Sequence, residues 1–387
     1  MDRIVKVTIL SPYPFHMIYQ ANQMKRLNSL ERLLTAVPMS RTGLPKSVVN
    51  TRLYFSGIRF YARKLLPQID HKLSRIVIKD FDRWAKNNLG KPTIINALSG
   101  FATNTLQYAH DNGVFTCCDR GSWHILEQKK VLDDEAERLG VTKEYFDPWI
   151  MERELTEYDI VDRIFVPSQT AADSFIRQGV DKDKLRKVPY GVHIDHFVPS
   201  SSVAPPGAFV SVATVGMQKG SHILVEAFRN LNGQYINNSS LTLVGPITQG
   251  WERILELDKN NVIAVGQCDR DGVIRHLQQA RIFVLASIQE GLALVIAQAM
   301  ACGLPIIASE ATGAHELVDN GVEGIIVPTN DVEALTNAME FLISNPTLSK
   351  EMGLAARKKV EKFGGWNRYG EEINNELYRV ITEKSTD

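Results

Sequence analysis

The stretch Ser287–Ser309, "SIQEGLALVIAQAMACGLPIIAS", carries a strand end, a turn, a helix and a further strand. The run "IFVLAS" that leads into it is short, apolar and rich in β-strand formers, the pattern of a strand buried on both faces. "LALVIAQAMAC" has the length and Ala/Leu content of a helix, and Gly303 with Pro305 stops it where a C-cap belongs. Glu290 and Gly291 therefore fall in the turn between strand end and helix start. Such a turn offers unpaired backbone N–H groups, here those of Gly291, Leu292, Ala293 and Leu294, at the positive end of the helix dipole. That combination suits a phosphate, and Gly291 has no side chain to hold an anion away. Gln298, about two turns into the helix, is polar among Leu, Val, Ile and Ala, so its burial requires a partner, in a neighbouring loop if not in a ligand.

Outward from this stretch the same alternation repeats. In the first half the β-branched runs are "IVKVTIL", "LERLLTAV", "PTIINAL", "VFTCCD", "RIFVPS" and "LRKVPYG". In the second they are "AFVSVATVG", "LTLVG", "VIAVG", "IFVLAS", "PIIAS" and "GIIVP". Strands alternating with helices, each strand nearly all apolar, predict parallel sheets covered on both faces. "FVPSSSVAPPGAF" (Phe197–Phe209) reads as a linker, and 387 residues is more than one ordinary core supports. The expectation is an α/β chain of two doubly wound, Rossmann-like domains, residues 1–199 and 200–365, with a cleft at the carboxyl ends of both sheets. Residues 366–387 form an amphipathic helix with a polar tail. Its stripe of Trp366, Tyr369, Ile373, Leu377 and Val380 is expected to pack back on the N-terminal domain.

Composition narrows the function classes. With 44 basic and 44 acidic residues the chain is neutral, which argues against nucleic acid as a partner. The four cysteines, Cys117, Cys118, Cys268 and Cys302, show no metal-ligand spacing and suit buried thiols in a reducing compartment. "MDRIVKVTILSPYPF" lacks a signal-peptide core, and no apolar run is long enough to span a membrane, so a cytoplasmic protein is expected. One segment departs from neutrality. Arg41–Lys86 holds eleven Lys/Arg against three acids, with aromatics interleaved. It reads either as the solvated face of ordinary helices or as a patch for an anionic acceptor or anionic lipid, the latter placing the protein peripherally on the inner face of a membrane.

"VATVGMQKGSHILVEAF" reads strand, loop, helix, with Gly216 and Gly220 framing Lys219. A lysine above the sheet could neutralise a pyrophosphate across the cleft. The spacing fits neither a Walker loop nor a dinucleotide fingerprint. "DRD" (Asp269–Asp271) precedes a helix, where Asp is a common N-cap, and is read as a cap and not as a metal site.

With those residues in view, the second half resembles the nucleotide-sugar-binding domain of family 4 glycosyltransferases, retaining enzymes of GT-B fold. The resemblance lies in "VGMQKGSHILVEAF", "LTLVGP", "NVIAVGQ" and, above all, the segment Glu290–Gly324. "RELTEYDIVDRIFVPSQTAADSFIRQG" and "VPYGVHIDHF" extend it into the first half. It implies a metal-independent hexosyltransferase without cofactor, taking a nucleotide-diphosphate sugar as donor and a glycan or lipid-linked glycan as acceptor, in polysaccharide biosynthesis. Lys219 would steady the departing diphosphate, Glu290 would contact the donor sugar, and the backbone of Gly291–Leu294 would bind the distal phosphate. Gln298 stands where the family has a glutamate for the ribose hydroxyls. An arginine common before the lysine is missing, and Arg120 or Arg275 could substitute for it from elsewhere. Backbone near Val265–Gln267 would meet the base. In the first domain "CCDRGSWHI" brings Asp119, Arg120 and His124 to a strand's carboxyl end, and the resemblance implies a site histidine there, His124. Asp119, Arg120 and His16, in the first strand–helix turn, are acceptor-side candidates. The competing readings are an epimerase-type or phosphorolytic GT-B relative, and a non-catalytic binder of nucleotide sugars, which Gln298 keeps open.

Overall fold

A computed structural model describes residues 5–53, 70–141, 146–252 and 261–383. The first sheet contains β1 Val7–Ser11, β2 Leu30–Thr35, β3 Val49–Thr51, β4 Ile94–Leu98, β5 Phe115–Asp119, β6 Arg163–Val166 and β7 Leu185–Lys187, in the order β3-β2-β1-β4-β5-β6-β7. The second contains β8 Gly207–Val212, β9 Ser239–Val244, β10 Val262–Gly266, β11 Ile282–Leu285, β12 Ile306–Ser309 and β13 Gly324–Val327, in the order β10-β9-β8-β11-β12-β13. Pairing is parallel throughout both sheets. Each of the apolar runs named above is a strand. The strand they omit is β3, a three-residue edge strand inside the basic segment.

The helices that concern the site are α1 His16–Arg26, α2 Asp70–Lys86, α3 Thr103–Asp111, α4 Ile125–Arg138, α5 Pro148–Ile160, α6 Gln169–Arg177, α7 Ser221–Arg229, α8 Arg270–Gln278, α9 Leu294–Ala301 and the C-terminal α10 Gly365–Glu383. Strand order reverses between β1 and β4 in the first sheet and between β8 and β11 in the second. Those reversals open crevices at the carboxyl ends of the strands. The loops after β8 and β11 carry Lys219 and Glu290, so topology alone makes the two residues neighbours.

The halves are tied closely. Tyr369, Ile373, Leu377 and Val380 of α10 are buried against α1, each burial stabilising by about 1.5–3 kcal/mol. Ser29 Oγ to Asn374 Oδ1 (2.7 Å) and Gln20 Nε2 to Tyr369 OH (3.3 Å) accompany them. Helix α4 leans the other way. Its Leu132 and Ala136 join the second domain's core, and Glu135 meets His222 Nε2 at 2.5 Å and Asn330 Nδ2 at 3.2 Å. The chain runs between domains at residues 190–206 and returns near Gly365. There a Cβ on Gly191 would lie 2.4 Å from the Trp366 Cα.

Of the basic segment, residues 54–69, with Arg59, Arg63 and Lys64, lie outside the described residues. Within them, Arg52 pairs with Asp80 (2.9 Å), Arg75 pairs with Asp147 (2.7 Å), and Lys79 and Lys86 lie over the Trp149 and Tyr108 rings. These four cations have partners within their own domain. Among the described residues no helix is long and apolar enough to cross a membrane.

Candidate active site

Two loops of the second domain build the centre. After β8 the chain crosses to Gly220, whose φ of 60° is left-handed and where a Cβ would lie 1.9 Å from the Ala286 carbonyl oxygen. Only glycine allows that approach. Ile288 N–H donates to Gln218 O at 3.0 Å, so the loops are joined one residue from Lys219 and two from Glu290. Lys219 Nζ lies 2.5 Å from Glu290 Oε1, and Ser287 Oγ donates to the same carboxylate oxygen at 3.0 Å. Gly216 frames the loop with its amide on Ser221 Oγ at 3.0 Å.

Helix α9 starts immediately beyond, with Ala293 as N-cap and no side-chain cap. Not all four turn amides are available: Ala293 N–H is taken by Thr312 O at 3.0 Å, whereas those of Gly291, Leu292 and Leu294 have no acceptor among the described residues. Gly291 also has a different neighbour from the anion its lack of a side chain suggested. A Cβ there would lie 2.1 Å from the Gly121 carbonyl oxygen, so a loop of the first domain rests directly on it. Ser168 Oγ, from the start of α6, donates to Gly291 O at 2.5 Å.

Leu294 and Gln298, one turn apart on α9, line a cavity of about 460 Å³ with Tyr19, His193, Arg270 and Trp366. Gln298 is half-buried, and its amide has no protein hydrogen bond among the described residues, so the cavity supplies the environment that the sequence demanded of it. Tyr19 stacks on Trp366 with centroids 4.3 Å apart. Gln267 is exposed beyond β10, two strands from β8, and is not brought to the Lys219–Glu290 pair.

In the first domain the expectations separate. His124 is not presented to the cleft: it is 3% exposed, its Nδ1 accepts from Leu126 N–H at 3.3 Å as N-cap of α4, and its ring packs on Tyr158 and Phe175. Burial, reinforced by Arg120, pulls its pKa down to about 4. A strand-end position identified the loop but could not say which of its side chains turns inward. Arg120 is spent as well, donating to Trp123 O (3.0 Å), Glu154 (3.1 Å) and Gln128 Oε1 (2.7 Å), while Arg275 is exposed on α8. Neither replaces the missing arginine. The cation that lines the cavity is Arg270, on the first turn of α8, whose N-cap Asp269 accepts from Gly272 N–H at 2.8 Å.

His16 and Asp119 do meet. His16 Nε2 is 2.7 Å from Asp119 Oδ1, the imidazole stacks on Tyr190 at 4.3 Å, and Tyr190 OH reaches Asp119 at 3.5 Å. A Cβ on Gly121 would lie 3.5 Å from His16 Cε1, and the carbonyl of Gly121 is the group that covers Gly291. One loop residue therefore separates the His16–Asp119 pair from the turn of α9. Sequence reasoning missed the polar bridge beside it, Gln289 with Ser122, Gln128 and Gln218. Gln289 and Gln218 directly precede Glu290 and Lys219, a signal that could have been read; Gln128 lies in the first turn of α4 and gave none.

Two doubly wound parallel sheets facing a shared cleft, with a lysine and a glutamate at the switch point of the second, define the GT-B architecture. Residues 197–359, in the second half of the chain, match the family described as glycosyl transferases group 1. It is similar to a putative colanic acid biosynthesis glycosyltransferase, WcaL, of Salmonella typhimurium, 32% identical over 220 residues that cover 52% of each chain. A D-inositol 3-phosphate glycosyltransferase of Streptomyces bingchenggensis is 27% identical over 230 residues, 54% of this chain and 50% of that one. The chain thus spans about half the length of the curated relatives it matches. Among solved structures, a sucrose-phosphate synthase from Thermosynechococcus elongatus superposes with a TM-score of 0.70 at 18% identity, covering 98% of this chain and 100% of that one. Anabaena HepE in complex with UDP gives 0.68 at 17% identity, covering 96% and 99%. At such identities the likeness is one of fold.

Proposed function

We propose that the chain is a retaining, metal-independent glycosyltransferase that moves a sugar from a nucleotide-diphosphate donor to a glycan or lipid-linked glycan. The observation that carries this reading is the contact of Lys219 with Glu290 beside the amide-lined start of α9. The cavity at Gln298 has room for a nucleoside, with the Gln298 amide for ribose hydroxyls and Arg270 for negative charge. The diphosphate would then lie at the free amides of Leu292 and Leu294, where helix dipole and Lys219 compensate its charge. On donor binding the ammonium turns to the phosphate and leaves the Glu290 carboxylate to hold the sugar. In the transfer step the bond from the anomeric carbon to phosphate oxygen breaks, its electron pair going to the diphosphate. The acceptor oxygen bonds to the same face, and its proton passes to the departing phosphate oxygen. The acceptor approaches from the first domain, past His16 and Asp119.

The relative named for colanic acid biosynthesis supports a glycan product, and the UDP bound by HepE supports a nucleotide sugar as donor. The decisive experiment incubates the chain with a panel of labelled nucleotide sugars, with and without chelator, and follows release of nucleoside diphosphate and the anomeric configuration of the product. Turnover of one donor with retained configuration is expected. Saturable binding of nucleotide sugars without turnover of any would favour the non-catalytic reading, and an altered sugar still on its nucleotide would favour the epimerase.

A further inference from the structure

Gln289 is fully buried, and its side chain is bonded to three others, two of them from the opposite domain. Its Oε1 accepts from Gln128 Nε2 at 2.8 Å and from Gln218 Nε2 at 2.9 Å, and its Nε2 donates to Ser122 Oγ at 2.8 Å. Gln218 also donates to the Gln289 carbonyl, at 3.3 Å. Gln128 and Ser122 belong to the first domain; Gln218 is the residue before Lys219, and Gln289 the residue before Glu290. Beyond Gln128 the network continues through Arg120 to Glu154.

We propose that Gln289 is a positioning residue that senses the seating of the first domain and sets Lys219 and Glu290 accordingly, an assignment that rests on the glycosyltransferase reading of that pair. One oxygen lone pair and one N–H of this buried amide are satisfied only while the domains are closed; the other lone pair is held by Gln218 of its own domain. When the first domain withdraws, the bonds to Gln128 and Ser122 break, and the amide is released to water together with the peptide that fixes Glu290. Withdrawal thus exchanges the two interdomain bonds for water and leaves Gln289 tied to Gln218 alone, which makes the catalytic arrangement conditional on closure. The donor's phosphates and nucleoside would be held chiefly by the turn amides at the start of α9, Gln298 and Arg270 of the second domain, none of which is hydrogen-bonded to Gln289. Lys219 would act mainly on the charge that builds up as the diphosphate departs. Loss of the bridge should therefore spare donor binding and impair the chemical step, where a displacement of about 1 Å can cost on the order of 100-fold.

The test compares wild type with Gln289→Leu, Gln128→Leu and the double variant, all as the full chain. Gln128→Leu removes the bridge from the first domain and keeps the test valid if Gln289→Leu fails to fold. Without substrate, amide hydrogen exchange over residues 216–220 and 286–294 should speed up roughly tenfold in both single variants, with the amides of β11 unchanged. With donor, kcat should fall roughly 10- to 100-fold while Kd for the nucleoside diphosphate stays within about threefold. The double variant should be no worse than the poorer single one. Unchanged exchange, a Kd that weakens as much as kcat falls, or losses that multiply in the double variant each overturn the proposal. A wild type that turns over no nucleotide sugar sinks the glycosyltransferase reading instead, and hydrogen exchange still decides the bridge.

Discussion

Lys219 Nζ and Glu290 Oε1 are 2.5 Å apart, with their side chains 25% and 15% exposed. A largely buried pair gives up in desolvation much of what it gains in attraction, so it is poorly explained as a stability device. Lys219→Met and Glu290→Gln should each lower kcat/KM by about 100-fold or more, the range for losing one charged group that stabilises a transition state. Thermal unfolding should shift by only a few degrees. Activity near wild type in either variant would remove that residue from the site.

Gln298 supports a sharper expectation. A carboxylate accepts a hydrogen bond roughly twice as strongly as a neutral amide oxygen. Gln298→Glu should therefore tighten binding of a nucleoside diphosphate several-fold while leaving turnover in place, with Arg270 on the same cavity wall balancing the added charge. Calorimetric titration with uridine and guanosine diphosphates reads this directly. Complete inactivation would show that position 298 does something other than hold ribose.

Gly291 tests whether the closed arrangement matters. A methyl group there would sit 2.1 Å from the Gly121 carbonyl oxygen, a backbone atom that cannot swing aside, so the first domain has to move. Gly291→Ala should lower activity sharply and enlarge the radius of gyration in small-angle scattering. Gly233→Ala, where a Cβ meets nothing within 4 Å, is the control that should change neither. A compact, active Gly291→Ala protein would falsify the close packing of these loops.

Much of this was legible because parallel sheets write themselves plainly. Strands buried on both faces become continuous apolar runs, and the order of runs and helices implies doubly wound topology. Lys219 and Glu290 could be placed together because each follows a strand whose carboxyl end faces the cleft. Residues that act through packing left no such trace. His124 and His16 are both histidines at strand–helix turns, yet one turned into a core with Tyr158 and Phe175 and the other onto Asp119. The difference arises from neighbours 34 to 103 positions away in sequence, which no local pattern encodes. Likewise Gln289 needed Ser122 and Gln128, which only the fold brings near.

His124 gives a pH signature that separates a structural histidine from a catalytic one. Its pKa falls from 6.5 to about 4 in the folded chain, chiefly because burial disfavours the imidazolium. The unfolded chain binds the extra proton first as pH drops, so this contribution is complete above pH 6.5 and is lost as pH falls towards 4, amounting to on the order of 2 kcal/mol. His124→Asn keeps an oxygen to cap α4 and removes the titration. Urea unfolding across that window should show a shallower loss of stability in the variant than in wild type, on top of a constant decrease from lost packing on Tyr158 and Phe175. The variant should keep the proposed transferase turnover at pH 7.5. Parallel pH curves with abolished turnover would return His124 to the reacting centre.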